Sequence, residues 1–148
     1  MTLEANKTVV RRLYEDLLGR RQIDLVDTLI ASDAIDHNAA AYGWGGGPEA
    51  FRTHIGFFHG VFRDFSITVD DLVAEDDRVI AFWSFRGIHQ GEVWGVQATG
   101  RAVIGHTVSL VKVRGGQVIE YESLPDRLAL LTQFGELGQY APEFGERR

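Results

Sequence analysis

Two hydroxyl side chains near the C-terminal end of the chain, those of Tyr121 and Ser123, are the first candidates for chemistry. They lie two positions apart in an alternating stretch, and residues two apart on a β-strand face the same side. A tyrosine hydroxyl in a cavity can donate a proton to an oxyanion or a peroxide. A second alternating stretch, residues 103–113, precedes them across a Gly-Gly turn. The two stretches predict a β-hairpin that carries part of an active site.

The turn of this hairpin decides which residues share a face. A three-residue turn with a positive φ at Gly116 pairs Val113 with Gln117. The face of Tyr121 and Ser123 then also carries Thr107, Ser109, Val111 and Ile119. A two-residue Gly-Gly turn shifts the pairing by one and places Tyr121 opposite Leu110. We favour the three-residue turn.

Histidine exchanges protons near neutral pH, and the chain has five histidines. His54 and His59 lie on or beside the apolar stripe of a predicted helix, so we interpret both as surface or packing residues. The run Asp36-His37-Asn38 is too short and too poor in oxygen ligands to predict a metal site. The glycines of residues 90–101 lack the spacing of a dinucleotide or phosphate fingerprint. The sequence therefore predicts neither a metal nor an organic cofactor.

Composition limits the classes of protein to which the chain can belong. Its 148 residues, 45% of them hydrophobic, suit a single domain over residues 1–148 whose core can enclose a pocket. A net charge of −6 argues against binding to nucleic acid or to an anionic membrane surface. The absence of cysteine excludes a disulfide scaffold and thiol nucleophiles. Neither a signal peptide nor a membrane span is predicted, so we expect a cytoplasmic protein.

Three helices are predicted before the main strands. The first covers residues 6–18 and stops at Gly19, and the second follows a possible N-cap at Asp24. The third begins at Pro48, a residue suited to the first turn of a helix. A short extended segment, residues 32–38, and a loop, residues 39–47, lie between the second and third helices.

The strands and a closing helix complete the predicted fold. Residues 65–74 and 78–89 form a strand pair, and the second of these is apolar on both faces, which predicts a sheet covered on both sides. Asp126 is the predicted N-cap of a last helix that ends near Gly135. This order predicts the α+β class, as a cone-shaped barrel with a curved antiparallel sheet wrapped around the N-terminal helices. The tail with Tyr140 and Phe144 is expected to pack on a neighbouring surface.

Several segments together resemble a known family. They are residues 83–92 (WSFRGIHQGE), 98–101 (ATGR) and 116–120 (GQVIE), and Pro125-Asp126 followed by residues 130–135 (LLTQFG). The sequence resembles the SnoaL-like polyketide cyclase and ester-cyclase family over nearly the whole chain. The resemblance implies the nuclear transport factor two-like fold.

The resemblance also implies chemistry. Cyclases of this family close a polyketide ring by an intramolecular aldol condensation without a cofactor, using an aspartate and a nearby histidine. In this sequence those two positions fall on Ser123 and Ser109, and serine alone does not abstract a proton α to a carbonyl at neutral pH. The departure favours the family's hydroxylation of anthracycline-type polyketides, with a separate reductase as partner. The aldol cyclase is the alternative.

Within the resemblance, His89 and His37 correspond to histidines that recur in the family and become candidate acid–base groups. The candidate catalytic residues are His89, His37 and Tyr121. The candidate substrate-binding residues are Tyr14, Trp83, Phe85, Trp94, Ser109 and Ser123. The expected ligand is a hydrophobic polycyclic small molecule.

Two further expectations concern contacts with other molecules. A non-catalytic binding or interaction module is the alternative of another class, because this fold is reused for protein contacts. The outer face of the hairpin is also apolar, through Ile104, Val108, Leu110 and Val118. Because an exposed patch of this kind usually marks an interface, we expect a homodimer by sheet-to-sheet packing, with Lys112, Glu120 and Glu122 near its rim.

Overall fold

A computed structural model of the protein describes residues 1–137. The N-terminal half contains α1 (Leu3–Arg12), a π-helix (Leu13–Gly19), a 3₁₀ turn (Ile23–Leu25), α2 (Val26–Leu29), β1 (Ile30–Asp36), α3 (His37–Ala41) and α4 (Gly47–Val61). The C-terminal half contains β2 (Phe62–Glu75), β3 (Arg78–His89), β4 (Ala102–Arg114), β5 (Gln117–Pro125) and α5 (Arg127–Phe134). The predicted α+β class is confirmed.

The strands form one five-stranded sheet in the order β1-β5-β4-β3-β2. The pairs β2–β3, β3–β4 and β4–β5 are antiparallel, but β1 runs parallel to β5, with Asp36 opposite Tyr121. The prediction of a purely antiparallel sheet is therefore wrong at this edge. β1 reaches the edge of β5 from a distant part of the chain, so no tight turn forces the two strands into opposite directions.

The β4–β5 turn is the two-residue Gly-Gly alternative, so the favoured three-residue turn is wrong. Gly115 and Gly116 have φ of 59° and 80°, and Arg114 pairs with Gln117, so the connection has two residues. Positive φ at both central positions suits glycine and matches the twist of a hairpin. The pairing then shifts by one residue at Ile119, because Val113 faces Val118 whereas Lys112 faces Glu120.

This bulge brings the candidate side chains to the inner face. Tyr121 lies opposite Val111 and Ser123 lies opposite Ser109, rather than Tyr121 opposite Leu110. The predicted inward orientation of Tyr121, Ser123, Ser109 and Thr107 is therefore confirmed, since all four are buried. Val118 was predicted on the outer face, but it is fully buried, because the bulge lies between it and Tyr121.

The core lies between the inner face of the sheet and the helices. β3 contributes Val79, Ala81, Trp83 and Phe85 to it, and α4 contributes Ala50, Phe51 and Ile55. The outer face of β3 is less covered than predicted, since Phe82 is 37% exposed. Glycine is required once within the sheet: the buried ring of Phe85 lies where a Cβ at Gly105 would be.

The helix boundaries follow local signals at most positions. Pro48 lies in the first turn of α4 as predicted, and Asp126 caps α5 by accepting a hydrogen bond from the Ala129 amide. α5 ends at Gly135, whose φ is 87°. Asp24 is not a helix cap but lies inside the 3₁₀ turn, and the predicted loop 39–47 begins with the end of α3.

Nowhere in residues 1–137 does a helix have the length and apolar character needed to cross a bilayer. The expectation for Tyr140 and Phe144 lies outside the described residues.

Candidate functional site

A cavity opens between the inner face of the sheet and the helices α3, α4 and the π-helix. The space open to the centre of a water molecule is about 100 Å³, and the atom-free space including the mouth is about 960 Å³. Much of the wall is aromatic, with side chains from the π-helix, α4, β3 and a loop that include Tyr14, Phe51, Phe58, Trp83, Phe85 and Trp94. The polar groups on the wall are Asp36, Asn38, His54, Thr107, Tyr121, Ser123 and Arg127. Such a mostly apolar cavity with a few polar groups is typical of small-molecule sites.

An aspartate and a histidine meet on one side of this cavity. Asp36 is the last residue of β1, and its side chain is fully buried. One carboxylate oxygen accepts a hydrogen bond from the Ala39 amide (2.9 Å) and thereby caps α3. The other lies 2.6 Å from Nδ1 of His54, which α4 holds with one fifth of its side chain exposed. The carboxylate can only accept, so Nδ1 donates and Nε2 of the neutral imidazole is left as the basic nitrogen.

Tyr121 lies next to this pair. The Tyr121 ring meets the His54 ring edge-on at 6.0 Å between centroids. Burial raises the pKa of the Tyr121 hydroxyl above its usual value of 10, and the nearby charge of Asp36 adds to the rise. The neighbouring hydroxyls of Ser123, Tyr14 and Ser109 oppose this rise in the pKa only in part. Tyr121 is therefore a protonated donor at neutral pH.

Tyr14 lies deeper, on the π-helix, and is 1% exposed. Burial raises the pKa of its hydroxyl well above the usual value, and the neighbouring Tyr121 raises it further. Ser109 and Trp83 are beside the Tyr14 hydroxyl, yet that hydroxyl makes no hydrogen bond of good geometry within the described residues. It is thus a buried polar atom available to a ligand.

Asn38 joins α3 to the end of β5. Its Oδ1 accepts hydrogen bonds from the Ser123 amide (2.7 Å) and hydroxyl (3.2 Å), and its Nδ2 donates to the Ser123 carbonyl (3.0 Å). These three bonds hold the backbone beyond β1 against β5 and orient Ser123 in the wall. They also help to keep Asp36, two residues earlier, at its place.

A cluster of aromatic side chains lies at the cavity, and Tyr42, Phe57 and Trp94 line it. Tyr42 stacks on Trp44 at 4.6 Å between centroids, and Trp44 also contacts Phe57 at 5.0 Å. From the opposite side, Nε1 of Trp94 donates to the Tyr42 hydroxyl (3.3 Å). Trp94 itself is in a tight turn with a φ of 50°. We call these four side chains, Tyr42, Trp44, Phe57 and Trp94, the aromatic rim.

The structure brings together most of the side chains that the sequence suggested, but not all of them. Tyr121, Tyr14, Trp83, Phe85, Trp94 and Ser123 line the cavity. Ser109 lies behind the wall, where its hydroxyl accepts a hydrogen bond from Nε1 of Trp83 (2.9 Å). Ser109 therefore positions the Trp83 ring rather than contacting the open space.

The two histidines proposed from the resemblance lie elsewhere. His89 is fully buried, stacks on Phe134 at 4.0 Å and uses Nδ1 as acceptor for the Thr99 amide (3.3 Å). His37 points away from the cavity and donates to Glu120 (2.8 Å). That contact and Lys112 lower the pKa of Glu120, with Lys112 the larger cause. Neither histidine is among the residues that line the cavity.

The histidine that does line the cavity, His54, was interpreted as a packing residue from the sequence. A signal was available, because His54 is three residues after Phe51 and four before Phe58, both in the cavity wall. A polar residue at those spacings on a helix shares the buried face. Its partner Asp36 gave a weaker signal, as a carboxylate at the end of a short extended segment.

No group of three or more His, Asp or Glu side chains in the described part of the chain is arranged to hold a metal ion. The candidate site thus consists of the Asp36–His54 pair, the phenols Tyr121 and Tyr14, and apolar walls.

Comparisons with known proteins give the following results. Residues 8–134 match the profile of the SnoaL-like polyketide cyclase family. The aklanonic acid methyl ester cyclase DnrD of Streptomyces peucetius is 25% identical over 134 residues, which cover 86% of this chain and 89% of DnrD. Among solved structures, TsrD from Streptomyces laurentii superposes with a TM-score of 0.81 at 23% identity, over 93% of this chain and 99% of TsrD. IdmH from Streptomyces antibioticus, proposed to be a polyketide cyclase, has a TM-score of 0.74 at 28% identity, over 88% of this chain and 98% of IdmH.

Proposed function

Because this chain belongs to the SnoaL-like polyketide cyclase family, whose curated relatives are enzymes, we propose that it closes a ring of an aromatic polyketide by an intramolecular aldol condensation. The observation that carries the proposal is the hydrogen bond between Asp36 and His54 in an apolar cavity. It supplies the base that the sequence lacks at Ser109 and Ser123. The proposed site combines His54 as base, Asp36 as the group that orients it, and Tyr121 as proton donor.

The reaction starts at Nε2 of His54. Asp36 holds the proton on Nδ1, so Nε2 takes a proton from the carbon α to a substrate carbonyl, and the C–H electron pair forms an enolate. The buried carboxylate stabilises the imidazolium that results, as in other carboxylate-oriented histidines. The side chain of Asp36 is already desolvated and hydrogen-bonded, so it needs no rearrangement during the step.

Ring closure follows in the same cavity. The enolate carbon attacks a ketone carbon of the same molecule, a C–C bond forms, and the C=O electron pair moves to oxygen. The new alkoxide takes a proton from the Tyr121 hydroxyl, and the proton on His54 Nε2 restores the phenol directly or through the product. The raised pKa of Tyr121 keeps its proton in place until that moment. Tyr14 offers a second hydroxyl near the same oxygen.

The walls limit the substrate to a flat, hydrophobic small molecule. The inner space is narrow, so a polycyclic substrate needs either movement of rim side chains or a position partly within the mouth. The proposed reaction requires no cofactor. We expect the enzyme to be cytoplasmic. A purely non-catalytic module has less support, because a hydrogen-bonded acid–base pair and a phenol lie together in the wall of an open cavity.

Hydroxylation of an anthracycline-type polyketide is the second candidate. The observation in its favour is the presence of Ser123 and Ser109 at the positions where the family resemblance implies an aspartate and a histidine. In this reaction His54 would deprotonate a phenolic or hydroquinone ring, which then reacts with O₂. One oxygen atom enters the substrate, and the other leaves as water at the expense of two electrons from a reductase or chemical reductant.

One experiment separates the two candidates. Aklanonic acid methyl ester, the substrate class in the name of DnrD, is incubated with the purified protein with and without a reductant, and products are followed by chromatography and mass spectrometry. We expect an isomer of unchanged mass without reductant. A product with one added oxygen atom, formed only with reductant, would instead establish hydroxylation and reject the aldol proposal.

The residue assignment is tested by His54→Gln with His59→Gln as its matched control. Both histidines are on α4, but His59 contacts the Leu18 carbonyl (2.6 Å) and does not line the cavity. Loss of a general base typically costs about 10²- to 10⁴-fold, so we expect a reduction of that size in kcat for His54→Gln. His59→Gln should retain wild-type turnover. Equal turnover of the two variants would remove His54 from the mechanism.

A further inference from the structure

An arginine at the cavity mouth has no role in the reaction described above. Arg127 lines the cavity, its side chain is exposed, and its guanidinium lies 5.0 Å from the centroid of the Trp94 ring. Among residues 1–137, no carboxylate forms an ion pair with it. The cation–π contact fixes the position of the charge but leaves its N–H donors available.

The place of Arg127 in α5 is unfavourable for folding. It is the first residue of the helix, directly after the cap Asp126, and the backbone dipole makes this end of a helix positive. The Asp126 carboxylate suits that end and is engaged with the Ala129 amide (3.0 Å). A cation at the next position opposes the dipole. Helix stability therefore does not explain the arginine.

The other charges near the cavity do not satisfy Arg127 either. Asp36, the one carboxylate on the wall, is already bonded to the Ala39 amide and to His54. The protein as a whole has a net charge of −6, so its average field repels anions. The Arg127 guanidinium, which has no ion-pair partner among residues 1–137, therefore places a positive charge in the cavity wall.

We propose that Arg127 binds a carboxylate substituent of the substrate while the flat ring system lies against the aromatic rim. The planar guanidinium matches a carboxylate with two parallel hydrogen bonds, and Trp94 beneath it also forms part of the rim. The inference rests on the proposed function for the identity of the ring system. It adds that this enzyme accepts a free aromatic acid in preference to the corresponding methyl ester.

This specificity has a consequence for the order of reactions. A cyclase that selects the free acid acts on a polyketide whose carboxyl group has not been esterified. The reaction that supplies its substrate is then a hydrolysis or oxidation that leaves a carboxylate, and a methyl transfer is not required beforehand.

The test uses a pair of ligands that differ only in charge. Binding of anthraquinone-2-carboxylate and of its methyl ester is measured by equilibrium dialysis for the wild-type protein, Arg127→Gln and Arg114→Gln. Arg114 is an exposed arginine at the β4–β5 turn that does not line the cavity, so its variant controls for the loss of one charge. We expect wild type and Arg114→Gln to bind the carboxylate about tenfold more tightly than the ester, as for a partly exposed charge-assisted pair.

Arg127→Gln should bind both ligands with the affinity that wild type has for the ester. The preference of wild type should also weaken with added salt, because the pair is near solvent. A preference retained in Arg127→Gln, equal loss of both affinities, or no preference in wild type each overturns the inference. The catalytic proposal is judged separately, since His54→Gln should lose turnover and keep the carboxylate preference.

Discussion

At the scale of single residues, two buried phenols make the stability of the protein depend on pH. Tyr14 and Tyr121 are both buried, and burial is the first cause of the raised pKa of each hydroxyl. The folded protein therefore holds these two protons more tightly than the unfolded chain, in which a tyrosine has a pKa of about 10. Their contribution to stability is complete below pH 10 and is lost as the pH rises above that value.

Tyr14→Phe tests this linkage. The Tyr14 hydroxyl has no hydrogen bond of good geometry, so its removal should change the free energy of unfolding at pH 7 by no more than about 1 kcal/mol. Above about pH 10, the variant should lose less stability than wild type, because one of the two linked protons is gone. Urea denaturation across this pH range measures both effects. Parallel curves for the two proteins would contradict the assignment.

The acid–base pair shows how neighbouring residues take opposite roles. Asp36 and Asn38 face the cavity, whereas His37 between them points to Glu120 on the outside. The chain passes from strand to helix at this point, so successive side chains project in different directions. Under the proposed mechanism, the run Asp36-His37-Asn38 therefore contributes to the site through its two outer members.

At the scale of elements, the register of β3 and β4 shapes the cavity. Phe85 pairs with Gly105, and the Phe85 ring crosses the strand at this glycine before it reaches the cavity wall. The absence of a side chain on Gly105 thus gives the ring its position. Tyr14 reaches the cavity from the π-helix. Widened helical turns of this kind often occur at functional sites.

Gly105→Ala is expected to destabilise the fold. The added methyl group would overlap the Phe85 ring, which is 3% exposed and cannot leave without disturbing Phe58 and Phe62. Overpacking of this kind costs about 1–3 kcal/mol, measured by chemical denaturation. Substrate affinity should also fall, because the displaced ring enters the cavity.

Gly56→Ala provides the matched control. Gly56 lies in α4, and a Cβ there meets no atom within 4 Å. The same change should stabilise the protein by about 0.5–1 kcal/mol, as for glycine in a helix interior. Similar effects of the two substitutions would show that the contact with Phe85 does not matter.

At the scale of the whole molecule, an apolar strip remains on the outer face of the sheet. Phe82, Val108 and Leu124 are neighbours on three adjacent strands, and Phe82 and Leu124 are 37% and 71% exposed. Ile80 and Leu110 form a second, half-buried pair beside them. The outer apolar patch therefore includes Leu124. It does not include Val118, which is buried.

We predict that this strip is the contact of a homodimer formed by sheet-to-sheet packing. Leu110→Glu places a charge directly beside the strip and should shift the protein towards monomer in sedimentation velocity at micromolar concentration. Leu128→Glu, an exposed leucine on α5 away from the sheet, should leave the association unchanged. Wild-type protein that sediments as a single subunit would disprove the dimer.

Local signals in the sequence were enough for the elements and for most of the cavity wall. Period-two alternation identified the strands and the inward face of Tyr121 and Ser123, and single residues marked helix ends at Pro48, Asp126 and Gly135. These signals are short-range, because a cap or an alternating pattern depends on bonds within a few residues. Their success does not require knowledge of the neighbours in space.

Only the tertiary structure decided which side chains meet. Asp36 and His54 are 18 positions apart on a strand and a helix, and their contact depends on β1 joining the edge of β5 in parallel. The bulge at Ile119 shifts the β4–β5 register by one residue from the register that the two-residue turn alone would set. His89 and His37 lie outside the cavity, where His89 stacks on Phe134 and His37 contacts Glu120. Strand order, register and the approach of helices result from the sum of many distant contacts, and no short stretch of sequence contains that sum.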